Sequence, residues 1–557
     1  MVWTQVYDPL EKMLGSSGYL LSALVAAIPL YILFYMLAVK RAAGHKAAFC
    51  GTLAAILLAI VAWHMPVGLA VNATVKGAAF GLFPIVWIII TAVWIYNMTV
   101  ESGEFEIIKN SLASMTDDRR LQAIFIAFAF GSFIEGTAGF GTPVAITAAM
   151  LVGLGFNPLY AAGICLIANT APVAFGAIGV PILVAGAASG LPNANGEAVH
   201  HISQIVGRQL PFLSIIVPCW VSVTMCGFKR SLEVLPALVV AGVCFAGTQF
   251  WTSNHLGPYL PDILSAMVTI IGLILLLRVW KPKNIFHFPD EKVSEGPVKS
   301  NYPGGQVIRA WMPYIILAAL VTVWGLPDFK AAMKPFEGWA LNIPWPGLHG
   351  AIEKMPPLVK AASVYAATYS FNFITSGGTA IFIAGVISAF VMPGYNIGRG
   401  FACFVRTIFQ LRYPIATIAM ILGLAEIMNA SGMSGTLGLA FTMTGALYPF
   451  FAPLLGWLGV FLTGSDTSSN ALFANLQATT ANQVGVDPYL TVASNSSGGV
   501  TGKMISPQSI SVATSATGMV GQEGNLFRFT VFHSLAMTLV VCIITLLQAY
   551  PLKWMLP

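Results

Sequence analysis

The chain has 557 residues, of which 57% are hydrophobic and 9% charged, with a formal net charge of +6 and a mean hydropathy of +0.79. About a quarter of the residues in a soluble domain are charged, so this composition excludes a soluble protein and predicts an all-α polytopic membrane protein. Lys and Arg fall in short loops between apolar runs, which argues against a nucleic-acid partner and makes the lipid bilayer the expected surroundings.

The first half of the chain contains a series of apolar runs that predict membrane spans. The run from Tyr19 to Val39 is about 20 residues long, enough to span and longer than the apolar region of a signal peptide. Its basic flank at 40–46 places the next loop in the cytoplasm and the N-terminus outside. Later spans are predicted at 47–63, 78–98, 211–226, 235–250 and 263–277, with a charged cytoplasmic segment at 101–120.

A hydrophilic stretch rich in Lys, Pro and Gly divides the chain. We predict an N-terminal membrane half at 1–280, a cytoplasmic linker at 281–310 and a C-terminal membrane half at 311–557. Spans of the second half are predicted at 311–324, 373–391, 413–428 and 532–552, with an extracellular Trp-containing segment at 327–362 and an Arg-rich cytoplasmic loop at 399–412. About 12 spans plus broken or re-entrant hairpins, in two repeat-related halves, are expected.

One block in the first half combines Gly, Pro and an isolated acid. Gly131 to Pro143 reads GSFIEGTAGFGTP, Asn169 to Pro181 reads NTAPVAFGAIGVP, and no Lys or Arg occurs from 121 through 207. This composition favours broken helices. Glu135 is the single acid between 118 and 197, and a carboxylate within a span costs roughly 2.5 to 3.5 kcal/mol, so such a residue usually faces a cavity or a partner. We interpret Glu135 as a candidate proton carrier; the alternative is a helix cap near the interface.

A second polar block runs from Gly464 to Gln508, in a part of the chain without Lys or Arg from 413 to 502. Polar groups at membrane depth persist when they are buried in protein or line a wet cavity. Asp466 can be a proton or substrate site or part of a helix N-terminus, and these roles are compatible because such a terminus attracts anions. The neighbouring hydroxyls belong to Ser465, Thr467 and Ser468.

Lys503 ends the run SSGGVTGK but does not complete a phosphate-binding loop. Such a loop needs Gly where Ser497 stands and Ser or Thr where Met504 stands, so nucleotide binding is not supported. We expect the ammonium group to pair with Asp466, with Glu135 or with a carboxylate ligand. The alternative is a lysine that extends to the membrane surface.

The two blocks also match each other. A shift of 326 positions places Asn169 on Asn495, Gly176 on Gly502 and Pro181 on Pro507. Matching broken segments in two halves of a transporter indicate a substrate site near the membrane midplane. The amides of the two Asn residues, with the neighbouring hydroxyls of Thr170, Ser496 and Ser497, could bind a small oxygen-bearing anion beside helix breaks. Helix–helix contacts are the alternative role for these side chains.

No cofactor or metal is expected. The seven Cys are scattered without a CxxC pair, and the eight His are dispersed, so ligand spacing for a metal is absent. An integral membrane enzyme would need a nucleophile with a positioned base or a metal cluster, and the sequence contains neither a Ser/His/Asp arrangement nor HExxH.

Five long strings closely resemble the L-lactate permease family of bacteria: EGTAGFGTPVAI from Glu135, NTAPVAFGAIGVPILVAG from Asn169, GWLGVFLTGSDTSSNALF from Gly456, GGVTGKMISPQSI from Gly498 and LFRFTVFHSL from Leu526. The resemblance extends from Tyr7 to Leu547. It implies a multi-pass transporter of the bacterial cytoplasmic (inner) membrane that imports L-lactate, and D-lactate or glycolate, with protons.

The resemblance also implies kinship with the wider ion-transporter superfamily, in which paired hairpins carry Ser-Asn-Thr motifs. The triplets at 168–170 and 494–496 look like those motifs, and an elevator-like movement is expected by analogy. The sequence departs from the family pattern at Thr137 and Thr142, which stand in place of Ala, and at Glu426, which stands in place of an apolar aromatic residue.

The combined hypothesis is proton symport of a small 2-hydroxy monocarboxylate. The anion is expected between the regions of Asn169 and Asn495, held by helix N-termini, hydroxyls and Lys503, with Glu135 and Asp466 as proton carriers. A sodium-coupled carboxylate transporter of the same architecture is the first alternative, because Asn, Ser, Thr and carbonyl groups at unwound segments also suit Na⁺. Whether the protein forms a homo-oligomer is left open.

Overall fold

The computed structural model describes residues 2–10, 18–40, 42–139, 141–192, 196–288, 302–337, 343–359 and 361–557. Much of the predicted linker, residues 289–301, lies outside these ranges, so the predicted boundaries of the two halves stay predictions.

Helices make up most of the described chain. Those before the linker are α1 (Gly18–Ala26), α2 (Ile28–Phe34), α3 (Gly44–Val61), α4 (Val67–Phe80), α5 (Trp87–Glu101), α6 (Glu104–Ala113), α7 (Arg119–Ala123), α8 (Gly131–Thr137), α9 (Thr142–Gly153), α10 (Pro158–Ala168), α11 (Gly176–Ala188), α12 (Glu197–Cys226), α13 (Phe228–Leu232), α14 (Leu235–His255) and α15 (Pro261–Val279). Those after it are α16 (Gly304–Gly325), α17 (Pro327–Glu337), α18 (Gly377–Val391), α19 (Ile397–Gln410), α20 (Arg412–Ser431), α21 (Met433–Phe441), α22 (Tyr448–Thr463), α23 (Asp466–Val484), α24 (Pro488–Lys503), α25 (Pro507–Ala516) and α26 (Glu523–Ala549). Shorter π segments are Tyr35–Val39, Gly81–Val86 and Ile124–Phe130, and 3-10 segments are Val173–Phe175, Thr442–Leu447 and Lys553–Met555.

The described helices confirm an all-α membrane protein. Nine are long and apolar enough to cross a membrane, or eleven if each of two bent pairs is one span, which is compatible with about twelve. One bent pair is the first predicted span, and the other joins α10 to α11 with a bend of 65°. The Arg-rich segment predicted as a loop contains α19, whose Phe401 and Phe409 side chains are exposed. Arginines and exposed aromatic side chains on one helix are typical of an element at the membrane surface.

Five short strands lie at one end of the helices, and the sequence did not predict them. They are β1 (Trp3–Thr4), β2 (Ile343–Pro344), β3 (Ile352–Lys354), β4 (Ser363–Val364) and β5 (Thr368–Tyr369). β1 pairs in parallel with β3, which pairs antiparallel with β4, while β2 pairs antiparallel with β5. The N-terminus and the predicted extracellular segment therefore lie together.

The charged loops form two sets at opposite ends of α3. At its start, the His45 ring stacks on Tyr413 with 4.7 Å between centroids; just past its end, the His64 carbonyl accepts a hydrogen bond from Trp3 Nε1 at 3.1 Å. The helix between them is 18 residues long, or about 27 Å. The loops at the start of α3 contain the segments predicted to be cytoplasmic, and we call them the cytoplasmic set. The loops past its end contain the segments predicted to be extracellular, and we call them the extracellular set.

Two helical hairpins, α9–α10 and α23–α24, point their tips in opposite directions. The first tip lies at the cytoplasmic set, because the Phe156 and Phe288 rings are 5.2 Å apart. The second lies at the extracellular set, because Gln483 Nε2 donates to the Pro357 carbonyl at 2.6 Å. The two halves are therefore related as inverted repeats, a question that the sequence left open.

The hairpin tips also fix the register of the repeat. Gly155 and Gly485 both have left-handed φ, and the side chains of Asn157 and Asp487 cap the helices that begin at the following prolines. Each matched pair, 155 with 485 and 157 with 487, is 330 positions apart. The predicted shift of 326 was therefore wrong by four residues, about one helical turn.

Glycines allow α22 and α24 to pack backbone against backbone. A Cβ on Gly456 would lie 1.8 Å from the Asn495 carbonyl oxygen, and one on Gly498 would lie 2.1 Å from the Pro453 carbonyl oxygen. Such contacts exclude any side chain, so this pair of helices is held at the smallest separation that main chains allow.

Glu426, which departs from the family pattern, connects the segment predicted to be extracellular to α4 and α20. Its Oε1 lies 2.7 Å from Lys76 Nζ and accepts a hydrogen bond from the Tyr365 hydroxyl at 2.6 Å. Lys354 Nζ lies 5.3 Å from the centre of the Tyr365 ring. In this chain the acid at position 426 therefore has a structural role between α4, α20 and the segment of β3 to β5.

The backbone contact between α22 and α24 can be tested by adding one methyl group. Gly498→Ala should lower the free energy of unfolding by about 1 to 3 kcal/mol, the usual cost of overpacking, and lower the melting temperature in detergent. Gly153→Ala is the matched control, because nothing lies within 4 Å of its added Cβ. Equal melting temperatures for the two variants would contradict the close packing.

Candidate functional site

Glu135 lies where the first half of the chain is broken. It is in the last turn of α8, and its Oε2 accepts a hydrogen bond from Asn169 Nδ2 at 3.2 Å. Asn169 is the C-terminal cap of α10, as expected for a break at this motif. A Cβ on Gly176 would lie 2.6 Å from Glu135 Oε1, so glycine at the start of α11 makes room for the carboxyl.

Asp466 begins the first helix after the break in the second half. Gly464 has left-handed φ and ends α22, and Ser465 Oγ caps α23 by accepting from Ser468 N at 3.2 Å. Asp466 Oδ2 accepts hydrogen bonds from Ser496 Oγ at 2.5 Å and from Asn470 Nδ2 at 3.3 Å. Asp466 therefore combines the two roles that the sequence left open, a helix start and a buried carboxyl.

Lys503 joins the two breaks. Its Nζ donates to the Gly464 carbonyl at 2.9 Å, and its charge interacts with those of both Glu135 and Asp466. The two acids also interact with each other. Glu135 and Asp466 are each 3% exposed and Lys503 is 7% exposed, so the three predicted ionisable residues form one buried cluster rather than lying at separate membrane boundaries.

A polar contact crosses from one half to the other beside this cluster. Asn470, one turn after Asp466, donates from Nδ2 to the Pro181 carbonyl at 3.1 Å as well as to Asp466. The same amide therefore contacts both α11 of the first half and the acid of the second.

Asn495 differs from the expectation. It lies in the interior of the continuous helix α24 rather than beside a break, which occurs at 504–506. Its Nδ2 donates to Asn470 Oδ1 at 2.9 Å, and its Oδ1 accepts from Gln477 Nε2 at 3.0 Å. Its amide therefore joins helices to each other. The prediction for Asn495 relied on a shift of 326 positions between the repeats. At the observed shift of 330, Asn169 corresponds to Gly499 instead.

Several buried oxygens near the cluster have no hydrogen-bond partner among the described residues. They are Asn169 Oδ1, Thr170 Oγ1, Asp466 Oδ1 and Ser497 Oγ. A buried polar atom without a partner is costly, so these four atoms of the predicted site residues are ones that a bound ligand or ion would satisfy.

A cavity of about 800 Å³ reaches the second break from the side of the loops that are predicted to be cytoplasmic. Ser465 and Ser468 line it, as do Pro507 and Gln508 at the start of α25. The starts of α23 and α25 therefore face one space, and helix N-termini favour an anion. Its outer wall contains residues 42–45, Tyr413 and Pro414. The other predicted site residues, Asn169, Thr170, Thr467, Asn495, Ser496, Ser497 and Lys503 with the acids Glu135 and Asp466, are not on its wall.

Sequence reasoning missed Asp262, a third buried acid of the same region. It is the second residue of α15, is 1% exposed and interacts electrostatically with Glu135. The residue directly precedes the predicted span at 263–277 and follows a polar loop, so it resembled an acid at the membrane boundary. The sequence did contain one signal for Asp262, because Pro-Asp is typical of the first turn of a helix, where an acid is favoured.

This chain is similar in sequence to known permeases. The sequence model of the L-lactate permease family matches residues 22–552. Glycolate permease GlcA of Escherichia coli (strain K12) is 52% identical over 570 residues, covering 100% of both chains. The L-lactate permease of Bacillus subtilis (strain 168) is 49% identical over 577 residues, also covering 100% of both. Among solved structures, Neisseria gonorrhoeae MtrF, described as one of a class of antimetabolite efflux pumps, has a TM-score of 0.46 and 12% identity over 89% of this chain and 84% of that chain.

The sidedness of the cavity can be tested with a single cysteine. In a background without the seven native Cys, Ser468→Cys should react with a membrane-impermeant maleimide in inside-out vesicles, because Ser468 lines the cavity and the neighbouring loops are predicted to be cytoplasmic. Ala493→Cys is the control, since Ala493 is 0% exposed. Faster labelling of position 468 in right-side-out cells would contradict the orientation.

Proposed function

We propose that this chain, which belongs to the L-lactate permease family, imports L-lactate, and D-lactate or glycolate, together with protons across the bacterial cytoplasmic membrane. It is a multi-pass membrane transporter and not an enzyme. The observation that carries the proposal is the buried cluster of Glu135, Asp466 and Lys503 at the meeting of two inverted helix breaks.

The anion is held at the second break. The starts of α23 and α25 supply positive potential, and Ser465 and Ser468 supply hydroxyls at the cavity wall. Lys503 supplies a full positive charge within reach of the same break, because its Nζ already contacts the Gly464 carbonyl. A small 2-hydroxy acid offers one carboxylate and one hydroxyl, which such a mixture of cationic, amide and hydroxyl groups can recognise.

The predicted substrate-binding set also contains Thr467, in the first turn of α23, and five residues that contribute in two different ways: Asn169, Thr170, Asn495, Ser496 and Ser497. The buried oxygens of Asn169, Thr170 and Ser497 lack a hydrogen-bond partner among the described residues. They can therefore bind a substrate that moves inward from the cavity. Ser496 acts through Asp466, to which it donates, and Asn495 acts by fixing Asn470.

Charge balance couples the anion to protons. If both acids of the cluster are ionised, Lys503 neutralises one of them and a bound lactate adds a further negative charge in a water-poor region. Buried unpaired charge is costly, so protonation of Glu135 or Asp466 favours binding of the anion. By linkage, the bound anion favours protonation to the same extent, and this reciprocity is the basis of symport.

The inverted repeats supply alternating access. The cavity opens on the side of the loops predicted to be cytoplasmic, which describes one of two states. Because the two halves have opposite orientation, exchange of their conformations gives the state open to the other side. The contact of Asn470 with both Pro181 and Asp466 lies where such a movement would be felt.

Uptake into proteoliposomes tests the transport activity and its coupling ion. Labelled L-lactate should accumulate when an inward proton gradient is imposed without sodium, and glycolate and D-lactate should compete for uptake. A sodium gradient without a proton gradient should give equilibration alone. Accumulation driven by sodium would replace proton coupling by the sodium-coupled alternative, and absence of lactate uptake under both gradients would remove the proposed substrate.

The role of Glu135 can be tested with Glu135→Gln, which keeps the shape and an oxygen that can accept from Asn169 Nδ2 but binds no proton. The variant should insert normally and lose accumulation driven by the pH gradient, by at least about tenfold, the range seen when a proton-transfer group is removed. Glu106→Gln, at an exposed position of α6, is the control and should accumulate lactate as the unchanged protein does. Unchanged accumulation in Glu135→Gln would remove this residue from the mechanism.

A further inference from the structure

We propose that Asp262 and Glu135 form one two-carboxyl proton site, and that Asp262 holds the coupling proton and passes it to Glu135 when the substrate binds at the second break. The inference rests on the proposed function and adds a residue that the motifs did not contain.

The helices carrying the two acids are in close contact. A Cβ on Gly136, next to Glu135 in α8, would lie 2.8 Å from Asp262 Cβ and 3.2 Å from the backbone nitrogen of Ile263. The glycine therefore lets the start of α15 approach the last turn of α8. This contact places the Asp262 side chain beside the turn that carries Glu135, and the two carboxyls interact electrostatically.

The carboxyl of Asp262 accepts no hydrogen bond from the residues that the structure describes. Among the buried carboxyls of the described chain, it is the one for which both oxygens lack a hydrogen-bond partner. Elsewhere, Asp118 Oδ2 pairs with Arg120 at 2.7 Å, and Glu337 Oε1 accepts from the backbone nitrogen of Ile374 at 2.9 Å. An isolated buried carboxylate is strongly unfavourable, so Asp262 is neutral in this conformation and its proton has a place to be held.

Two further buried hydroxyls at this contact are without partners in the described structure. Ser265 is three residues after Asp262 in α15, and Ser132 is four residues before Gly136 in α8; neither Oγ has a hydrogen-bond partner. Residues three or four apart share one face of a helix, so Ser132 lies on the face of α8 that meets α15, and Ser265 lies on the Asp262 face of α15. Both hydroxyls can donate to a carboxylate or accept from a carboxylic acid, which is what a site for a mobile proton requires.

The charges around the pair make its two members unequal. Glu135 has the amide of Asn169 at 3.2 Å and the charge of Lys503, both of which favour its ionised form. The other charged or titratable side chains on the helices packed around Asp262 are Cys244 and His255 in α14 and Arg278 near the far end of α15. Two close carboxyls in a water-poor site do not both ionise, so a single proton resides on Asp262 when Glu135 is charged.

The electrostatic interactions connect the four ionisable side chains in an order that leads from Asp262 to the second break. Asp262 interacts with Glu135, Glu135 with Lys503, and Lys503 with Asp466. Transfer of the proton from Asp262 to Glu135 breaks one O–H bond, forms another and moves one negative charge from Glu135 to Asp262. Lys503 then loses its partner on that side and is available to the substrate carboxylate. Binding of the proton at Glu135 therefore changes the positive charge that Lys503 offers to the anion, although the proton and the anion do not touch.

The test separates transport from coupling. Asp262→Asn mimics the protonated acid, so purified variant in proteoliposomes should exchange internal for external labelled lactate, at equal pH and with a protonophore, within about twofold of the unchanged protein. Under an imposed pH gradient it should lose accumulation by at least about tenfold. Asp262→Glu should restore part of the accumulation, and Asp328→Asn, an exposed acid of α17, should behave as the unchanged protein.

A spectroscopic measurement keeps the proposal testable if Asp262→Asn does not fold. Infrared difference spectra of the unchanged protein, with and without lactate, should contain a protonated carboxyl C=O band that shifts in D₂O and changes position in Asp262→Glu. Full pH-driven accumulation by Asp262→Asn, equal loss of exchange and accumulation in a folded variant, or absence of the band would each overturn the assignment. Failure of the unchanged protein to exchange lactate would instead overturn the proposed function.

Discussion

The structure depends on one constraint, which is that charged groups held at membrane depth must find their partners in the protein. Glu135, Asp466 and Lys503 come from breaks that lie more than 300 positions apart in sequence, and each is stabilised by groups that the breaks expose. Asn169 caps α10 and donates to Glu135, whereas the Gly464 carbonyl freed at the end of α22 accepts from Lys503. The unwound backbone is thus stabilised by the ionisable side chains, and those side chains by the backbone.

Close helix packing allows this arrangement. Gly456 and Gly498 bring α22 and α24 together, Gly176 makes room for the Glu135 carboxyl, and Gly499 makes room for Asp466 Oδ1, which would lie 2.2 Å from a Cβ at that position. In lipid there is little hydrophobic gain from helix association, so small residues that permit many short contacts supply much of the attraction. The same residues therefore serve packing and the site, and this explains why the strings that mark the family are so rich in glycine.

The sequence predicted the class of the fold and the first break, because apolar length and Gly/Pro interruption are local properties. It failed where the answer depended on distant contacts. The partners of Glu426 are Lys76 and Tyr365, 350 and 61 positions away, and the strand partner of Trp3 is Ile352. It also misplaced the repeat by one turn, since small residues on α24 recur so often that Asn495 matched Asn169 by composition rather than by position. Asp262 was missed because its burial is produced by Gly136 of another helix.

The corrected register shows that the two repeats share a backbone plan but not a chemistry. Both hairpins begin from a broken helix and turn through a left-handed glycine followed by a capped proline start. At the point where the first repeat has Asn169 beside its acid, the second has Gly499 beside Asp466, with Ser496 and Asn470 as the donors instead. The first acid is therefore bound to an amide at a helix end and has a second carboxyl as its neighbour. The second acid stands at a helix start next to a cavity and a lysine. In the proposed mechanism, inverted symmetry lets the two halves exchange shapes, and the difference between the acids lets one half carry the proton while the other receives the anion.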